Sequence, residues 1–146
     1  FGHMATHKDG RPCTCGRIGC YEAYAACRVF TTSVSERMGR PMNGREIFEP
    51  ENLANPIIKE EIDNWEDEIA LGLRNLCYIF NPSFIVLGGG IMAEDMLIRD
   101  IREKVDAQLE DNYRHVRIEK AQLRNKAGML GAAYLASERL KNWKKD

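Results

Sequence analysis

Asn81-Pro82-Ser83-Phe84-Ile85-Val86-Leu87-Gly88-Gly89-Gly90-Ile91 joins the clearest helical pattern in the chain to a glycine turn, and its reading decides the fold. Upstream of it Ile58, Ile62, Trp65, Ile69, Leu73, Leu76 and Phe80 recur at intervals of three and four, the buried stripe of one helix. Asn55-Pro56 opens that helix with an N-cap and a proline at the first helical position, and Asn81-Pro82 ends it. Phe84–Leu87 is short, apolar and rich in β-formers, so it reads as a buried strand. Beyond the glycines, a helix over 94–109 carries Leu97, Ile98, Ile101 and Val105 on its apolar face. Val116 to Leu123 alternates weakly as a second strand. A last helix over 127–142 begins with Ala127, Gly128, Gly131, Ala132 and Ala133, small residues that admit close packing or a ligand.

On the other side, 21–38 reads as one helix with Tyr24, Cys27, Val29, Val34 and Met38 as its apolar positions, stopped by Gly39-Arg40-Pro41. Residues 42–54 read as a short helix and a turn. Helices alternating with short strands predict an α/β fold, a small sheet covered by helices, in a single domain over 1–146.

Twenty-one Lys and Arg against 22 Asp and Glu leave the chain nearly neutral, with no electrostatic reason to expect nucleic acid or an anionic membrane as partner. Nothing approaches the ~20 apolar residues of a membrane span. Five cysteines, three of them within 13–20, do not resemble a secreted disulfide framework. They read as reduced thiolates on a metal, in a cytoplasmic protein. Cys27 and Cys77 fall on helical apolar faces and are expected as buried thiols. His7 and His115 are expected as surface histidines.

The metal-ligating set is His3 with Cys13, Cys15 and Cys20, the last three inside Cys13-Thr14-Cys15-Gly16-Arg17-Ile18-Gly19-Cys20. Three thiolates and an imidazole close a tetrahedron around zinc. Gly16 and Gly19 permit the reversal that returns Cys20 to the ion. Soft thiolates argue against Mg²⁺ or Ca²⁺. Four protein donors leave no open position, so the zinc is structural and stiffens residues 1–22. Glu22 follows the last ligand at a helix start, where a carboxylate suits the helix dipole. The same carboxylate can accept hydrogen bonds from neighbouring sugar hydroxyls, and a metal-bound imidazole keeps one free N–H. Phe84-Ile85-Val86-Leu87-Gly88-Gly89-Gly90-Ile91 lets a ligand reach the backbone without a Cβ in the way.

Gly2-His3, nine residues, then Cys-x-Cys-Gly-x-x-Gly-Cys-x-Glu resembles the zinc and sugar motif of the ROK family of sugar kinases and repressors. The resemblance covers nearly the whole chain. It implies the C-terminal lobe of an actin-like ATPase (ribonuclease H-like) fold. His3 is then both a zinc ligand and a sugar contact, and Glu22 binds sugar hydroxyls. The turn over 83–91, with Gly88, Gly89 and Gly90, is similar to that superfamily's adenosine motif, and 127–142 to its connecting helix. The activity implied is transfer of phosphate from Mg·ATP to a hexose or N-acetylhexosamine, in a protein that often dimerises. A sugar-sensing transcriptional repressor is the alternative, and only then is nucleic acid a partner. The family's Glu before the His, its phosphate loop and its general-base Asp have no counterpart in the 146 residues. The expectation is therefore a fragment lacking the N-terminal lobe and inactive alone. The other reading of Gly2-His3-Met4, an expression-tag scar, leaves His3 outside the natural protein.

Overall fold

The computed structural model describes residues 1–123 and 126–143. Its organising element is α5 (Pro56–Phe80), a 25-residue helix. The Asn55 side chain accepts the N–H of Ile57 at 2.9 Å and so caps the start. Asn81, left-handed at φ 42°, closes the end by donating its N–H to the Cys77 carbonyl. Ile58, Ile62, Trp65, Ile69 and Leu73 are buried as the stripe predicts, each contributing about 1.5–3 kcal/mol, and Leu76 is partly buried. The stripe stops there. Phe80 is 58 % exposed, because the last turn of α5 runs past the elements packed on it.

On one side of α5 lie α1 (Glu22–Ala25) and α2 (Cys27–Met38), then the short helices α3 (Gly44–Ile47) and α4 (Pro50–Leu53). The Trp65 ring stacks on Phe30 with centroids 4.4 Å apart. On the other side packs α6 (Asp95–Gln108), which buries the expected Leu97, Ile98, Ile101 and Val105. This helix is the crossover between β1 (Phe84–Leu87) and β2 (Arg117–Lys120), which pair in parallel with Phe84 opposite Arg117 and Leu87 opposite Lys120. The last helix, α7 (Ala127–Trp143), exposes Met129, Tyr134 and Leu135. No helix among the described residues is long and apolar enough to cross a membrane.

Four expectations are corrected. The helix over 21–38 is two helices, since Ala26 is extended (ψ 136°) and the Trp65 indole donates to the Ala25 carbonyl at 3.0 Å. The break rotates the face that follows it, so Phe30 enters the core and Cys27 is exposed, while Cys77 is buried as expected. β1, expected buried, is only partly buried and on one face, at Ile85 and Leu87, with Phe84 and Val86 about half exposed, because the helices among the described residues cover just one side. The glycine turn does not lead straight into a helix. One 3₁₀ turn (Ile91–Ala93) intervenes, and α6 begins only at Asp95.

Candidate sugar and metal site

Residues 1–21 have almost no core of their own and are held by backbone pairing. Tyr21 N–H donates to the Met4 carbonyl and Glu22 N–H to the Gly2 carbonyl, at 2.9 and 2.8 Å. Isolated antiparallel bridges join Ala5 to Cys20 and Pro12 to Ile18. The loop docks on α5 through Tyr21, whose hydroxyl donates to the Ile69 carbonyl at 3.2 Å. A Cβ on Gly72 would lie 2.3 Å from that ring, so only glycine lets it in. His7, expected at the surface, is half-buried. Its ring stacks on Tyr24 at 3.9 Å, and its Nε2 lies 3.6 Å from Glu68, because α5 supplies an acceptor under the loop.

This scaffold brings His3, Cys13, Cys15 and Cys20 together, with donor atoms all within 4.8 Å of one another. Cys13 Sγ lies 3.6 Å from His3 Nδ1, and Cys15 Sγ lies 3.7 Å from Cys20 Sγ. A zinc tetrahedron with Zn–S bonds of about 2.3 Å has sulfur–sulfur edges of about 3.8 Å, so the four donors lie near the spacing such a cation needs. The thiols are unequal. The Cys15 backbone N–H donates to Cys13 and lowers its pKa to about 6, while burial raises that of Cys20 to about 11. A bound dication favours the thiolate at all three.

Both loop glycines are left-handed, Gly16 at φ +84° and Gly19 at φ +71°. They differ in room. A Cβ on Gly19 would come 1.6 Å from the His7 carbonyl oxygen, whereas one on Gly16 meets nothing within 4 Å. Gly16→Ala therefore carries only the left-handed penalty of about 1 kcal/mol. The expected result is metal affinity about fivefold weaker in a chelator competition, at unchanged stoichiometry.

Glu22 heads α1, and its Oε2 lies 3.6 Å from His3 Nδ1. The same Nδ1 faces Cys13 and Glu22, and the His3 side chain is 54 % exposed. Glu22 also lines a cleft of ≈ 270 Å³ whose walls include Gly2, Ala26, Leu87, Gly88 and Met92. The carboxylate from the loop and the first glycine of the turn therefore border one space. Gly88, Gly89 and Gly90 are exposed, and Gly89 sits at φ +121° with nothing within 4 Å of a built Cβ. Arg28, whose Nη2 lies 3.7 Å from Glu22 Oε1, was not singled out from the sequence, where a lone arginine early in a helix gives no signal.

The ROK family profile matches residues 1–139. The chain belongs to the ROK family. A glucokinase of Streptomyces coelicolor is 32% identical over 158 residues, covering 94% of this chain and 50% of the relative. An N-acetyl-D-glucosamine kinase of Escherichia fergusonii is 29% identical over 145 residues, covering 92% and 48%. A ROK family glucokinase from Streptomyces griseus, solved in complex with glucose and AMPPNP, superposes with a TM-score of 0.83 at 28% identity, covering 92% of this chain and 50% of that one. The fold is thus the α/β, actin-like one of ROK sugar kinases, and the chain spans about half the length of these relatives.

Proposed function

We propose that the protein phosphorylates a hexose or N-acetylhexosamine with Mg·ATP, and that this chain supplies the sugar-binding wall and part of the nucleotide site. The observation that carries the reading is the shared cleft, with Glu22 at the foot of the metal loop and Gly88 at the head of the turn. In this reading His3, Cys13, Cys15 and Cys20 hold a zinc ion, which takes no part in the chemistry and keeps the loop in shape. Glu22 accepts hydrogen bonds from two neighbouring sugar hydroxyls, and the outer N–H of His3 donates to a third oxygen. Gly88, Gly89 and Gly90 let the nucleotide approach the backbone. Binding and orientation are what these residues contribute to the reaction. The proton acceptor for the attacking hydroxyl and the phosphate-binding loop are assigned, by resemblance to the family, to an N-terminal lobe.

The test is sugar-dependent release of ADP by the intact protein, over hexoses and N-acetylhexosamines, with the 146-residue chain assayed alongside. Turnover by the intact protein with one sugar, and none by the chain, is the expected result. Sugar binding without turnover of any sugar overturns the kinase reading in favour of a sugar-sensing repressor.

A further inference from the structure

Glu22 and Arg28 are six residues apart. In an unbroken helix that spacing separates two residues by about 9 Å along the axis and puts them on different faces. The extended backbone at Ala26, with the Ala25 carbonyl taken by Trp65, folds α2 back on α1. Arg28 Nη2 thereby comes to 3.7 Å from Glu22 Oε1, while Oε2 faces His3 Nδ1 at 3.6 Å. Each carboxylate oxygen is thus flanked by a nitrogen group from a different element.

Local preference does not account for an arginine here. Arg28 lies in the first turn of α2, which has no acidic residue and no side-chain cap. A cation there opposes the helix dipole by roughly 0.3–1 kcal/mol. Stability does not account for it either, since both side chains are substantially exposed (59 % and 33 %) and such pairs contribute little. An arginine unfavourable to its own helix and aimed at a cleft-lining carboxylate matches a demand of the site.

We propose that Arg28 is a positioning residue for sugar binding. The proposal rests on the sugar-site reading above. The guanidinium fixes the orientation of the Glu22 carboxylate, so that its remaining lone pairs point into the cleft when the sugar arrives. Arg28 itself lies outside the cleft wall and acts through Glu22.

The experiment compares wild type, Arg28→Ala, Arg28→Lys, Glu22→Gln and the Arg28→Ala/Glu22→Gln double variant, all in the intact protein. It reads sugar affinity by calorimetry with the sugar that supports turnover, the KM for ATP and the zinc content. Arg28→Ala is expected to weaken sugar binding about three- to fivefold with zinc content and KM for ATP unchanged, the cost of ordering a Glu22 carboxylate that the guanidinium no longer orients. Arg28→Lys restores most of the loss, and Arg28→Ala costs nothing further once Glu22 is Gln. Wild-type sugar affinity in Arg28→Ala overturns the proposal, as does a loss that adds in full to that of Glu22→Gln or that follows a loss of zinc. Wild type that binds no sugar is a different failure, which removes the sugar-site reading and this proposal with it.

Discussion

Cys15→Ala in the intact protein is expected to abolish stoichiometric zinc binding and to weaken sugar binding by about 100-fold. Of the three thiols, Cys15 is the exposed one, while Cys13 and Cys20 are buried. Truncating it opens no cavity, so its effect reports on the metal and not on packing. The loop has little else to hold it. Its buried side chains are those of Cys13 and Cys20, packed with Ala23 and Tyr24 in a cluster apart from the main core. Ordering a backbone costs about 1–2 kcal/mol per residue, and a few hydrogen bonds do not offset that over some twenty residues. With three donors the coordination is no longer closed, the loop loosens, and sugar binding must order it again. The core around α5 lies elsewhere, so thermal unfolding followed by Trp65 fluorescence should move little. Atomic absorption and sugar calorimetry on the same sample make the check. A Cys15→Ala protein that binds sugar at full strength refutes the role given to the loop.

Glu66 carries the second large effect. It is 3 % exposed at the junction of α5 and α6, and its Oε1 has no hydrogen-bond partner. Burial raises its pKa to about 7, reinforced by the negative charge of Asp100 on α6 and of Asp63 and Asp67 on α5, and opposed by Lys104 on α6. Lys104 is engaged elsewhere, donating to Asp63 and Asp67 at 2.6 Å each. The folded chain therefore keeps a proton on Glu66 that the unfolded chain releases near pH 4.5. Stability must fall as pH rises from about 4.5 to about 7, and the full cost persists above that. A shift of this size corresponds to roughly 3 kcal/mol. Glu66→Gln removes the titration. Denaturant melts at pH 5 and pH 8 should show the variant gaining nearly that amount over wild type at pH 8 and only a small part of it at pH 5. An equal difference at both pH values would show that Glu66 does not titrate in this window.

Sequence periodicity was sufficient for the long helix, the helix over 94–109 and the order of elements, because one buried face imposes its spacing whatever lies opposite. Cysteine spacing marked the residues whose donor atoms the fold brings within 4.8 Å of one another. Three cysteines within 13–20, with glycines at the two positions that need a left-handed backbone, have few other uses. The break at Ala26 was not legible. Alanine has no preference for an extended backbone there, and the cause, a hydrogen bond from Trp65, lies 40 residues away. Cys27, Phe30 and Arg28 all take their environments from that break. The half-covered β1 was likewise hidden, since an apolar run does not record how many faces find a partner. What the sequence by itself determined was which residues are apolar with a helical or strand period and which side chains can bind a soft metal, both being local properties of the chain. Only the tertiary structure decided that Glu22 and Gly88 border one cleft, that Arg28 stands beside Glu22 and that Glu66 is enclosed, because those facts depend on how separate segments pack against one another.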